Sequence, residues 1–415
     1  MTSAPSSRLR AFVRYLLLFI LFLLLLSCGR HADWVQFRGE EGRGTSSTRI
    51  SPPLGIRWKI KLQPDGERIN ALNPPVVVGN TIYFGSEDGN FYALDAESGY
   101  MRWVFRSGAE INSIPCVDNN KVYFGSKDGR LYALSRESGH EQWNFLAGSQ
   151  INSLVERYGD YVIFVGDADA IYFLSPDGYE EFRVNNPGWY NFTFNVADDV
   201  MYFGTGSFVR HVGPYDIKRR ELKWVLPFNE ISATWYSFAA VRKNLVYFGT
   251  ADFSYATELG FYAFNRETGK KVWERRSEGV FASRFWYVED ELEFFFRNLE
   301  VLDFMAPTIW KDLVIYTGGD MTARAFNAEN GTLRWEKTFE TPIASPSTAA
   351  GSRLYFGLMG DIRHSPQLVC LDARDGKLLW SMETEGSLLS APVIAVKRII
   401  FGTDESVFYV LEEVF

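Results

Sequence analysis

An all-β chain of eight four-stranded sheets closed into a ring is what this sequence predicts, on three observations. Residues 76–105 (VVVGNTIYFGSEDGNFYALDAESGYMRWVF) and 117–145 (VDNNKVYFGSKDGRLYALSRESGHEQWNF) are one unit used twice. A strand-like run ending in glycine recurs at Gly85, Gly125, Gly166, Gly204, Gly249, Gly318, Gly357 and Gly402, mostly at the spacing of about forty residues that marks propeller blades. Tryptophan recurs at one place in the unit, with a glycine ahead of it and three residues between: Gly99 with Trp103, Gly139 with Trp143, Gly269 with Trp273, Gly331 with Trp335 and Gly376 with Trp380. Together these predict an eight-bladed β-propeller.

Each unit reads as four strands. In the first, Val76 to Val78 is the innermost, Thr81 to Gly85 the second, Phe91 to Leu94 the third and Met101 to Phe105 the outermost. Gly79-Asn80, Asp88-Gly89 and Ser98-Gly99 make the turns, because glycine and asparagine tolerate the positive φ of tight hairpins. Runs such as Val122-Tyr123-Phe124 are apolar without alternation, as expected where neighbouring sheets cover both faces.

The outer-strand tryptophans resemble the tryptophan-docking motif of the PQQ-type propeller family, in which each indole packs on the next blade. A buried indole covers about 200 Å² and needs one partner for its N–H. The resemblance implies a structural ring of Trp58, Trp103, Trp143, Trp224, Trp273, Trp335 and Trp380. Trp224 keeps its place without the glycine, and Phe182 substitutes in the third unit.

Closure is also legible. The last unit supplies Pro392 to Ala395, Arg398 to Gly402 and Val407 to Leu411, with no outer strand before Phe415. Ile56 to Ile60, around Trp58, is an unpaired strand that would complete the eighth blade and remove an exposed edge. One propeller over 56–415 follows, and Asp33 to Gly39 (DWVQFRG) resembles the lead-in of the same family.

Ahead of the lead-in, Arg8, Arg10 and Arg14 precede an apolar run from Tyr15 to Leu26, shorter than the roughly 18 residues that span a bilayer. Residues 1–27 read as a signal peptide. Leu25-Leu26-Ser27-Cys28 resembles the bacterial lipobox, which implies a mature chain that starts at lipidated Cys28, with 28–55 as lipidated N-terminus and lead-in. Gly29 stands where Asp would signal inner-membrane retention in enteric bacteria. The expectation is outer-membrane anchoring on the periplasmic side, through the lipid alone.

Losing three leader arginines takes the formal charge from −8 to near −11, which argues against nucleic acid as a partner. Beyond Cys28 only Cys116 and Cys370 occur, too few for a disulfide framework and predicted to be core thiols. His31, His140, His211 and His364 have no metal-ligand spacing and read as surface positions. No metal, no cofactor and a monomeric ring are expected.

Fold does not give function. Eight-bladed quinoprotein dehydrogenases of the PQQ-type family carry a vicinal cysteine pair beside the quinone, and this chain has no adjacent cysteines. Its main departure from the repeat is at 274–306, where a typical unit uses about eleven residues. There Val288, Leu292, Phe295, Phe296, Leu299 and Leu302 recur at helical spacing, opposite Glu289, Asp290, Glu291, Glu293 and Glu300. An amphipathic helix is predicted, packed on its own blades or on a partner.

One blade earlier, Ser232-Ala233 is followed at four residues by Phe238. This spacing and the enlarged next junction resemble the BamB-type lipoproteins of the outer-membrane protein assembly machinery, non-enzymatic propellers that contact the assembly barrel through neighbouring loops. Pro227 to Ile231 departs from that family's pattern just before Ser-Ala. The resemblance implies a non-catalytic scaffold for a protein partner, an outer-membrane assembly barrel. Its candidate contacts are Ser232, Ala233, Trp235, Tyr236, Phe238, Phe295, Phe296, Leu299 and Asp303. A PQQ-dependent dehydrogenase and an adhesion or polysaccharide-binding propeller stay open as alternatives.

Overall fold

The computed structural model describes residues 33–39, 42–62, 73–166, 170–185, 193–204, 213–225, 235–252, 258–278, 305–318 and 320–414. Among them are eight β-sheets, one per predicted blade, and no α-helix. In blade one Val76–Val78, Thr81–Gly85, Asn90–Asp95 and Met101–Arg106 pair in that order, so the third and outer strands run slightly longer than predicted. The second strand is buried along its whole length, because a neighbouring blade covers each of its faces.

Blade eight is made from both ends of the described chain. Val393–Ala395, Arg398–Gly402 and Val407–Glu413 supply three strands, and Leu54–Lys61 pairs antiparallel with the third. The predicted closure through Trp58 is therefore what the fold uses. Every sheet runs innermost to outermost, which gives the ring two rims. The turn face carries the first-to-second and third-to-outer turns. The junction face carries the second-to-third turns and the blade-to-blade connections.

Outer strands share one irregularity. In seven blades a β-bulge falls just before the Trp position, as between Glu141 and Trp143 or Ile56 and Trp58. One extra residue on the outer strand re-aims the next side chain, and the indole then lies against the following blade. Trp58 Nε1 donates to Ala96 O (3.1 Å), Trp103 to Arg136 O (3.2 Å), Trp143 to Pro176 O (3.0 Å), Trp224 to Arg266 O (2.9 Å), Trp273 to Ala328 O (2.9 Å) and Trp335 to Ala373 O (3.0 Å). Trp380, half-buried, packs on the cluster that contains Ile50 and Leu54 of the closing segment.

The glycine in the Trp spacing serves the preceding blade. A Cβ on Gly139 would lie 2.6 Å from the Trp103 ring, and one on Gly331 2.7 Å from the Trp273 ring. Gly331 also has φ +68°, so both space and backbone conformation exclude a larger residue.

Two of the exceptions belong to one joint. Phe182, in place of tryptophan, stacks on Phe173 at 4.2 Å, where blades one, two, five and six set alanine opposite the indole, as Ala93 opposite Trp103. Arg220, in place of the next blade's glycine, holds φ 60° and puts its guanidinium 4.1 Å from the Phe182 ring centre. A smaller ring is thus covered by a larger neighbour, a cation–π contact with roughly conserved volume.

A second recurring device was not legible. Ser113, Ser153, Ser237 and Ser345 sit in the connections, and each Oγ accepts a backbone N–H twelve residues on, at Gly125 (2.8 Å), Val165 (2.9 Å), Gly249 (2.8 Å) and Gly357 (2.9 Å).

Of the insertion expected over 274–306 only the ends are described: Lys271–Glu278 is one continuous outer strand, and Met305 and Ala306 are buried core. That leaves 279–304, and the predicted helix lies there, outside the described residues. Blade four is abbreviated, with third and outer strands of two residues each, Tyr215–Asp216 and Glu221–Leu222.

The Phe182–Arg220 joint makes a test. Phe182→Trp alone should destabilise by about 1–3 kcal/mol through overpacking against Phe173. Adding Phe173→Ala and Arg220→Gly should recover most of that loss in urea denaturation, and strictly additive losses would contradict the joint.

Candidate functional site

A ring of eight innermost strands leaves eight inner edges whose N–H and C=O groups need partners. The lead-in supplies partners to several of them and packs side chains against the rest. Trp34 and Val77 of blade one exchange N–H···O bonds (2.7 and 2.9 Å), and the Val117 N–H of blade two donates to Val35 O (2.9 Å). Gln36 Nε2 donates to Glu156 Oε1 of blade three (3.3 Å). Phe37 packs with Phe194 and Val196 of blade four. Arg43 Nε donates to Val241 O of blade five (3.2 Å), and the Ile309 N–H of blade six donates to Arg43 O (2.9 Å). Thr45–Ser46 runs parallel to Ala349–Ala350 of blade seven, and Ser46 Oγ donates to Ile394 O of blade eight (2.6 Å).

The segment enters at the turn face, dips toward the junction face and returns. Asp33 Oδ1 accepts the N–H of Gly79, in a turn-face hairpin, at 2.8 Å. At the bottom of the dip Arg38 is buried. Its guanidinium donates to Ser347 O (2.7 Å), Pro307 O (2.8 Å) and Thr308 Oγ1 (3.0 Å). A charge buried this way is held by its acceptors, and removing them costs several kcal/mol. Nothing in the DWVQFRG motif announces that its arginine is internal.

Glu156 is a second buried ionisable group along the channel among the described residues. Burial raises its carboxyl from an ordinary 4.5 to about 8, only partly offset by hydrogen bonds from the Val196 N–H and the Gln36 amide. Elsewhere, Asp320 and Arg324 form a buried pair at 2.7 Å at the junction face. Cys116 and Cys370 are free and buried as expected, and burial raises both thiols, Cys370 to about 12. His140 is exposed, while His364 is half-buried between Asp361 (2.9 Å) and Glu340 (3.1 Å). Among the described residues, no three His, Cys, Asp or Glu side chains could share a metal.

Blade five stands out. Its second, third and outer strands, Leu245–Asp252, Glu258–Asn265 and Lys271–Glu278, are eight residues each, against five or six in blade two. The added length lies at the junction face and forms a ledge. Trp235–Tyr236 joins it, pairing with Ala251 and Thr250. Arg276 Nη1 bonds Glu258 Oε1 (2.6 Å) across the ledge, Leu259 is buried beneath it, and Arg324 Nη2 reaches from blade six to Ser277 Oγ (3.0 Å). The connection 226–234 ends at Trp235 on this ledge, and 279–304 starts from the end of its outer strand.

Of the predicted contacts, Trp235 and Tyr236 are therefore placed on the ledge by their backbone. Phe238 is a correction. It is buried edge-on against Phe37 at 5.3 Å, because it fills the space beside the lead-in, and it offers no surface to a partner. Ser232, Ala233, Phe295, Phe296, Leu299, Asp303 and Cys28 lie outside the described residues.

This architecture is that of the eight-bladed propellers that include quinoprotein dehydrogenases. A quinohemoprotein alcohol dehydrogenase from Pseudomonas putida superposes with TM-score 0.66 at 14% identity over 92% of this chain and 80% of its own. A europium-containing methanol dehydrogenase gives 0.65 at 13% identity, covering 92% and 98%. BamB from Moraxella catarrhalis gives 0.63 at 16% identity, over 86% of this chain and 99% of that one. No curated protein matches the sequence. The family model that does match covers residues 55–178, 235–363 and 319–414 and is described as outer membrane protein assembly factor BamB. The chain belongs to that family.

Because folded Glu156 holds its proton more tightly than the unfolded chain does, stability should fall as pH rises from about 5 through 8, by on the order of 4–5 kcal/mol at full ionisation. Denaturation of Glu156→Gln across that range should show a flatter profile and higher stability at pH 9. An unchanged profile would show that the carboxyl ionises without cost.

Proposed function

We propose that this protein is a lipid-anchored scaffold of the outer membrane, held on the periplasmic side through Cys28, that assists β-barrel protein assembly by holding a protein partner at its junction face. The observation that carries this reading is the blade-five ledge, flanked by two enlarged connections, in a chain of the BamB-described family. Adhesion needs a rigid platform with an irregular rim, and the ring with its filled channel is such a platform. Ser232, Ala233, Trp235, Tyr236, Phe295, Phe296, Leu299 and Asp303 are the proposed contacts. An extended partner segment could pair with ledge backbone while its side chains meet the aromatic positions.

Turnover is not part of this reading. The lead-in lies along the inner edges where a channel ligand would sit, and the sequence has no adjacent cysteines. A photocrosslinker at Tyr236 or Glu258 in intact cells should capture a component of the barrel-assembly machinery, and one at Tyr100, on the other rim, should not. Capture of no assembly component from either ledge position, or a quinone-like visible band in the purified protein, would overturn the proposal.

A further inference from the structure

The lead-in decides which way the ring faces. Its entry at Asp33 is fixed by Gly79 at the turn face. Its exit through Ile50, whose carbonyl accepts the Tyr355 hydroxyl at 2.9 Å, leads to Leu54 at the start of an outer strand, again at the turn face. Asp33 therefore sits at the inner edge of that face.

Cys28 lies five positions before Asp33, a reach of at most about 18 Å. Three interstrand spacings of about 4.8 Å put the outer strands roughly 14 Å beyond the innermost ones, and the lead-in inside the channel adds about one spacing more. A ring standing on its edge would hold its centre farther from the lipid than the tether extends, even before side chains are counted. A ring lying with the turn face toward the lipid needs no such stretch.

The turn face suits that position. Tyr100 and Tyr179, in the third-to-outer turns of blades one and three, are 79% and 73% exposed. Tyrosine presents an apolar ring and a polar tip to a membrane interface.

We infer that the turn face lies against the lipid surface in which Cys28 is anchored, so that the ledge and the enlarged junctions point away from the membrane toward soluble partner domains. This rests on the lipoprotein reading of Cys28 and adds an orientation to it. Membrane and partner then occupy opposite rims, and neither competes with the other.

The test uses the full lipidated chain in vesicles of phosphatidylethanolamine and phosphatidylglycerol that carry headgroup spin labels. A fluorophore is placed at Tyr179→Cys or at Ile362→Cys, the latter 99% exposed at the junction face of blade seven. The buried Cys116 and Cys370 leave the label to the introduced site. Emission at position 179 should be largely lost and that at 362 retained. A Gly-Ser linker of about twenty residues ahead of Asp33, with a mean reach of about 25 Å, should remove the difference while the protein still floats with the vesicles. Equal quenching at both sites in a chain that floats overturns the orientation and leaves the anchor standing. A chain whose Cys28 carries no acyl groups by mass spectrometry, and which does not float, overturns both.

Discussion

The pairing of the N-terminal segment with the inner edges of the ring is the interaction on which the rest depends. A propeller leaves only short outer edges at its circumference, but its innermost strands also converge on a channel with unpaired backbone. Residues 34–46 meet all eight blades in succession, and residues 54–61 then become the outer strand of the last blade. One stretch of chain thus fills the centre and closes the circumference. Because closure joins residues more than three hundred positions apart, ring and plug are expected to form together, late in folding, when the loop-closure entropy of the whole chain has already been met.

Around the circumference, stability is distributed over repeated joints. In most blades a bulge aims the indole, the next blade's carbonyl takes its N–H, and a glycine clears space for the ring. The blade-three joint shows that the constraint is on the pair and not on either residue, since Phe182 and Arg220 depart together. Such regularity makes irregularity informative. Blade five lengthens three strands at one rim, beside a shortened blade four, and this is where the fold has been shaped for something other than its own closure.

The sequence was legible where the repeat was. The eight glycine anchors, the first unit's strands and the closing role of Trp58 all follow from periodicity, which reports strand ends and buried faces directly. The lead-in was opaque because it occurs once. Arg38 and Glu156 carry polar side chains into the interior, and composition alone reads such residues as surface. Phe238 misled for a related reason, since its place in a contact-loop spacing concealed that the same residue packs on Phe37. The ends of the insertion are hard to read because Lys271–Glu278 runs five residues past its tryptophan, against three in blades one and two.

Hydrogen exchange of the innermost-strand amides tests the central claim most directly. The N–H groups of Val77, Val117, Ile309 and Ala349 are bonded to lead-in carbonyls. In the native protein they should exchange only through global opening, with the same protection as the buried second strands. Rapid exchange at these four positions, with the second strands protected, would mean that the channel is open and would contradict the account.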